Sequence, residues 1–269
     1  MNRIGSVARM DWSHDYFERG YAQRWRLGPP SSGVRSEAGG LCDLLRLAAA
    51  DRVIDIGCGH GRHAVVIAER GVDVIGIDAS ASLLRRGQQL GAELGIRVRW
   101  VRGDMRWLPF KTGSADAAIM MDVVGFFDTE DEHDRTLREA ARVLRTGGRI
   151  GLKVLNGRHV LDAFRERDHQ ESQGTTISIS RTLSLDPPRM VERLSFSRGR
   201  GCEEYERRQR LYREDELRVA LEDAGFDIVG AYASPDGTPF EQVRSSTIWI
   251  VGERRAMDDS HGHKESRPE

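Results

Sequence analysis

The chain has 269 residues, 39% hydrophobic and 31% charged, enough to bury the core of one large α/β domain with additions. A formal net charge of −1 excludes a global pull toward nucleic acid or an anionic membrane. Cys42, Cys58 and Cys202 lie far apart without metal-ligand spacing, which excludes a disulfide scaffold and fits a reducing cytoplasm.

No apolar run reaches the roughly 18 residues of a membrane span, and no apolar signal segment opens the chain. Met1 to Arg9 read as loose. Asp11 to Trp25 is dense in aromatics: Trp12, Tyr16, Phe17, Tyr21 and Trp25 recur at helical spacing, with an interruption expected at Gly20. Pro29, Pro30 and Gly33 mark a turn-rich link. Ser36 to Ala50 then reads as a helix with Leu41, Leu44, Leu45 and Leu47 on its core face.

The stretch RVIDIGCGHGRHA, Arg52 to Ala64, organises the rest of the chain. Val53, Ile54 and Ile56 form a buried parallel strand, which stops at the alternate glycines Gly57, Gly59 and Gly61. A helix comes next. Such a turn presents unpaired N–H groups, and glycine there permits positive φ and lets a ligand lie against the backbone. The dinucleotide fingerprint needs a third glycine at the place held by Arg62. Asp55, two residues before the first glycine, would repel a pyrophosphate and suit a ligand carrying ammonium or sulfonium. S-adenosylmethionine carries both and no phosphate. Val72 to Ile77 is the second strand, and Asp78 lies near the usual offset of roughly 20 residues for a carboxylate gripping ribose hydroxyls.

Ser80 caps a helix to about Leu94, with Leu83 on its first turn as a wall for a base. Arg97 to Val101 is the third strand and Ala115 to Met121, apolar almost throughout, a central fourth. Asp122 stands at its carboxyl end, where open α/β sheets bind ligands. Phe126 and Phe127 either line an acceptor pocket or anchor the loop. Glu130 to Leu144 is a helix, on which His133 reads as solvated, and Arg149 to Leu155 is the fifth strand.

A long insertion comes after it. Asn156 to Gly174 is polar. Thr175 to Leu185, with Ile177, Ile179, Leu183 and Leu185 on one side, a strand holding Met190, Val191, Leu194 and Phe196, and Cys202 to Tyr212 make an antiparallel meander. Its arginines, Arg181, Arg193, Arg198, Arg200, Arg207, Arg208 and Arg210, would favour an anionic acceptor or merely guard exposed edges. Arg213 to Ala224 returns as a helix, and Phe226 to Tyr232 with Ser246 to Gly252 form a closing hairpin. The polar end, with His261 and His263, reads as a disordered tail.

The order D-x-G-C-G-x-G, GIDAS, GDMRWLPF, AAIMMDVVGFF and RVLRTGGRIGLKV resembles the class I S-adenosylmethionine-dependent methyltransferases of small-molecule type, from about Leu41 to Leu155. The resemblance implies a Rossmann-like, seven-stranded, mostly parallel α/β sheet with helices on both faces, plus the small antiparallel insertion. It divides the chain into a lid segment (1–35), the cofactor-binding core (36–155), an acceptor lid or dimer surface (156–212), the end of the core (213–252) and the tail (253–269). The cofactor-binding set it implies is Tyr16, Asp55, Gly57, Cys58, Gly59, Asp78, Ala79, Leu83, Asp104, Met105 and Met121. Within it Asp104 accepts from the adenine amine, the next N–H meets a ring nitrogen, and lid aromatics close the methionine end. Asp122, His14 and Tyr21 are the catalytic candidates, and no metal is implied. Asp122-Val123-Val124-Gly125 departs from the Asp/Asn-Pro-Pro-aromatic signature, which argues against DNA adenine or protein glutamine as acceptor. The expected reaction is in-line methyl transfer to an O or N of a small molecule, in a cytoplasmic protein that is a possible homodimer. An RNA or protein methyltransferase, an NAD-dependent oxidoreductase and a non-catalytic nucleotide binder are the alternatives.

Overall fold

The computed structural model describes residues 12–24, 27–172, 174–199 and 201–256. The expectations for Met1 to Arg9, Trp25, Arg200, His261 and His263 lie outside the described residues. Seven strands form the main sheet: β1 (Arg52–Ile56), β2 (Asp73–Asp78), β3 (Arg99–Arg102), β4 (Ala115–Met121), β5 (Leu144–Leu155), β10 (Phe226–Tyr232) and β11 (Thr247–Arg254). Their order is β10-β11-β5-β4-β1-β2-β3, and only β11 runs against its neighbours. The chain steps outward from β1 to β2 and β3, then returns to β4 on the other side. The carboxyl ends of β1 and β4 therefore part at the topological switch point, where such sheets leave a crevice.

Strand alternation sorts the core into two layers. Ile54, Ile56, Met120, Ile150 and Leu152 pack with Leu137 and Ala140 of α6 (Glu130–Val143) and Leu217 and Leu221 of α8 (Glu214–Asp223). Val53, Ile119, Met121 and Trp249 face the other way, toward Leu41 and Leu45 of α3 (Ser32–Leu45), Val65 and Ile67 of α4 (Arg62–Ala68) and Leu90 of α5 (Ala81–Leu94). Asp55 shares the parity of Val53, so its carboxylate enters the second layer at the sheet's carboxyl edge.

Caps fix the helix starts. Ser80 accepts from the Leu83 N–H, and Thr129 and Glu132 form a reciprocal capping box on α6. Ser31 caps α3, so that helix begins at Ser32 rather than Ser36.

The insertion is a separate four-stranded antiparallel sheet, β6 (Arg167–Ser172), β7 (Thr175–Leu185), β8 (Pro188–Arg198) and β9 (Gly201–Arg210), preceded by α7 (Gly157–Asp162). Three strands are expected from sequence; the fourth, β6, reads RDHQES and has no apolar alternation to betray it. Period two also corrects β8: Met190, Glu192, Leu194 and Phe196 share the inner face, so Glu192 is buried and Val191 is not. On β7, Leu185 is exposed rather than inward.

The N-terminal segment folds as α1 (Trp12–Asp15), a π-helical turn (Tyr16–Gly20) and α2 (Tyr21–Arg24). Gly20 ends the π turn, and the Tyr205 ring lies where its Cβ would be, 2.8 Å away. Tyr16 joins Ile177, Ile179, Leu194, Phe196 and Tyr205 in a third core cluster.

Candidate active site

A cavity of about 800 Å³ opens at the switch point and runs beneath the N-terminal helices to the antiparallel sheet. Its floor is the glycine turn. The Gly57 and Cys58 N–H groups both donate to the Ile77 carbonyl, tying the turn to β2. Gly57, Gly59 and Gly61 have φ of +71°, +57° and +73°. Their roles differ. A Cβ on Gly57 would lie 2.7 Å from Val123, and one on Gly61 would lie 2.1 Å from Trp100, whose ring also presses on Gly76 and Gly87. A Cβ on Gly59 would meet nothing closer than Leu83 at 3.9 Å. Gly59 is thus the glycine that keeps room for a ligand, whereas Gly61 keeps room for an indole.

Asp78 braces this turn. One carboxylate oxygen accepts from the Gly59 N–H and the other from the Ser80 N–H, both at 2.8 Å. Burial raises its pKa against the pull of those N–H groups. Asp55 is 2% exposed, and its Oδ2 has no hydrogen-bond partner. Burial first, then the neighbouring Asp78, push the Asp55 pKa up to about 7, opposed by Arg62 and the Ala64 N–H. A buried and a half-buried carboxylate, with an unpaired oxygen beside an open glycine face, suit a cation and repel a diphosphate. The residues present therefore fit S-adenosylmethionine.

Asp55 carries a stability prediction. Its folded pKa of about 7 lies above the unfolded value of about 3.9, so between these limits the native state holds more protons than the unfolded chain. Stability contributed by this group is full at low pH and is lost as pH rises toward 7. Thermal melts of the ligand-free protein should show a Tm falling from pH 5 to pH 7.5, with a visibly shallower slope in Asp55→Asn. Identical slopes would refute the assignment.

Around the turn, Ala79, Leu83, Met105 and Met121 line the cavity together with Cys58, whose thiol burial pushes up. Asp104 also lines it, but each of its oxygens already accepts from the Arg106 side chain, at 2.6 Å for the shortest pair. An adenine amine would share that carboxylate with Arg106. Asp122 sits at the end of β4 in the left-handed region, φ +58°, a conformation that costs a non-glycine residue and concentrates at functional sites. Its carboxylate lies 3.4 Å from both Arg62 and Lys153. Lys153 is held in turn by Glu37 at 2.8 Å, and the other Glu37 oxygen accepts from His63 at 3.0 Å. Burial would raise the Glu37 pKa, but the His63 and Lys153 bonds outweigh it and bring it down to about 2.

His14 lies exposed at the rim of the cavity, and Tyr21 lines it with a phenol whose pKa burial raises. Tyr16 does not line it. Tyr16 is buried in the cluster on the antiparallel sheet, while Phe17 and Tyr21 pack on that cluster and also line the cavity, so Tyr16 has a core role in place of the expected contact with the cofactor. His133 is a second correction. It is buried, not solvated, and its Nε2 accepts from the Phe127 N–H at 3.1 Å. Burial lowers its pKa to about 4, so it stays a neutral acceptor that shapes the loop presenting Phe126 and Phe127 to the cavity.

Five residues that line the pocket carry no signal in the sequence alone: His60, His63, Lys153, Arg24 and Glu192. Lys153 pairs in register with Met121, so its place at the sheet's carboxyl edge becomes clear once β4 and β5 are aligned. Among the described residues no three His, Cys, Asp or Glu side chains gather as a metal site. No helix among them is long and apolar enough to cross a membrane.

The sheet order, the switch-point cavity and the acid-flanked glycine turn are those of the Rossmann-like methyltransferase fold. Residues 53–148 match the family model described as "Methyltransferase domain". Among curated relatives, the 27-O-demethylrifamycin SV methyltransferase of Amycolatopsis mediterranei is 31% identical over 146 residues, 52% of this chain and 53% of the relative. The chain spans about half the length of the curated relatives it matches. The structure of the CcbJ methyltransferase from Streptomyces caelestis superposes with a TM-score of 0.73 at 21% identity, covering 90% of this chain and 96% of that one. An amino pentose methyltransferase from Micromonospora echinaspora, solved with S-adenosylmethionine bound, gives 0.61 at 21% identity, covering 88% and 98%. Residues 53–148 thus match a methyltransferase domain, within a fold shared with S-adenosylmethionine-dependent methyltransferases of known structure.

Proposed function

We propose that this protein transfers a methyl group from S-adenosylmethionine to an oxygen or nitrogen of a small-molecule acceptor, in natural-product metabolism. The observation that carries the reading is the continuous cavity that joins the glycine turn to the antiparallel sheet. Its volume lies within the range of about 300–1,000 Å³ typical of small-molecule sites, and its far end leaves space for a second ligand. The natural-product setting draws support from relatives named for a rifamycin precursor and an amino pentose.

Bound on the turn, the cofactor supplies an electrophilic methyl group on a sulfonium. The chain's own residues supply alignment, which is most of what such a displacement needs. Gly59 and Asp78 fix the adenosine end. Asp122, pinned between Arg62 and Lys153, stands between that end and the far end of the cavity. It is the residue we assign to orient the acceptor and receive its proton. The raised pKa of Tyr21 suits a phenol that donates a hydrogen bond rather than one that accepts a proton. The N-terminal helices and the antiparallel sheet serve as the lid that excludes water. Three free thiols accord with a reducing cytoplasm.

Calorimetry on the full chain tests the cofactor reading. S-adenosylhomocysteine should bind with micromolar or tighter affinity, and NAD should give no saturable heat. Tight binding of NAD, or none of S-adenosylhomocysteine, overturns the proposal.

A further inference from the structure

The far end of the cavity gathers three arginines around one buried carboxylate. Glu192 on β8 is 2% exposed and is met by three guanidinium groups: Arg24 at 3.0 Å, Arg181 at 2.8 Å and Arg207 at 2.5 Å. All four residues line the cavity. Asp168 reaches only Arg181, at 3.5 Å from the partly exposed side. Burial would raise the Glu192 pKa, but Arg207 and Arg24 outweigh it and bring it down to about 2, so Glu192 is the anion around which the three guanidinium groups gather.

An orphaned donor sits in the same place: the buried Nε of Arg207 has no hydrogen-bond partner. Buried donors are ordinarily paired, and a guanidinium left with a spare donor is built for a planar oxyanion. The other arginines of this sheet do not share this setting. Arg193 and Arg208 pair with Glu206, and Arg210 pairs with Glu130 and Glu216. Among the described arginines of this sheet, Arg181 and Arg207 line the cavity.

We infer that Arg207, with Arg181 and Arg24, forms a subsite for an oxyanion on the acceptor, a carboxylate or a phosphate. The inference rests on the methyltransferase reading. Phe17, Phe126 and Met190 line the cavity with the subsite, so the body of the acceptor is apolar or aromatic and its anion is the far anchor. Glu192 sets the three guanidinium groups in place, and the Arg207 Nε remains a donor for the ligand.

The test uses the full chain saturated with S-adenosylhomocysteine and three probes: 3-hydroxybenzoate, its methyl ester and phenyl phosphate. At least one anion should bind at least about tenfold more tightly than the ester; which of the two wins tells carboxylate from phosphate. Arg207→Gln should erase that preference, and Arg207→Lys should keep part of it, since charge survives without the fork. If Arg207→Gln fails to bind S-adenosylhomocysteine, Arg181→Gln decides in its place. Ester and anions bound alike, no probe bound, or a preference untouched in the folded variants overturns the subsite. Such a result with normal S-adenosylhomocysteine binding leaves the methyltransferase reading standing; loss of that binding in the wild type sinks the reading itself.

Discussion

Gly59→Val should lower affinity for S-adenosylhomocysteine by at least a hundredfold in a protein that still folds, whereas Gly61→Val should lose the fold before it loses the ligand. Both glycines lie in the left-handed region, where an L side chain costs about 1–2 kcal/mol. They part company in what surrounds them. The Cβ at Gly59 enters the open cavity, with Leu83 at 3.9 Å, so valine there fills the volume reserved for the cofactor and strains little else. The backbone cost alone predicts a Tm drop of about 2–8 °C. The Cβ at Gly61 falls 2.1 Å from Trp100, a ring that already lies close against Gly76 and Gly87. Overpacking of about 1–3 kcal/mol then adds to the strain. Melting curves and calorimetry on the two variants should therefore rank them in opposite orders. Wild-type affinity in folded Gly59→Val would show that the ligand does not lie on this turn.

That contrast marks how far the sequence carries. The turn, the strands around it and Ala115–Met121 are legible because short β-branched runs, alternate glycines and capping residues each have a local cause. What separates Gly59 from Gly61 is not local: it is set by Trp100, distant in sequence, and both positions read as the same letter. The same holds for Glu192. Alternation along β8 puts it inward, yet a buried glutamate is credible only once arginines from three other segments converge on it. The polar β6 has no pattern to read, being an edge whose partner supplies its order. Tyr16 and Tyr21 show a third limit. A regular helix would set residues five apart about 140° around its axis, but the π turn, closed by the Tyr21 N–H on the Tyr16 carbonyl, brings the two rings to 6.3 Å, and nothing in YFERG announces it.

Asp78→Ala should cost S-adenosylhomocysteine binding at least a hundredfold as well, by a different route. The carboxylate accepts from the Gly59 and Ser80 N–H groups, so it fixes the turn and the start of α5 before any ligand arrives. Each oxygen keeps a second lone pair, free to accept from a ribose hydroxyl. Hydrogen bonds to a charged group contribute about 1.5–3 kcal/mol each, and alanine removes both the brace and the ligand bonds. Asp78→Asn separates the two. Its one carbonyl oxygen can keep a single N–H partner, while its NH₂ cannot accept from the other, so affinity should fall by about tenfold rather than a hundredfold. The asparagine variant also removes the charge that helps push up the pKa of Asp55. The pH at which stability is lost should then shift downward, a change that a merely loosened turn would not produce. Full binding in Asp78→Ala would mean that the cofactor is held elsewhere. An unchanged pH profile in Asp78→Asn would mean that the two carboxylates do not share one field, and the cation-selecting character of the turn would go with it.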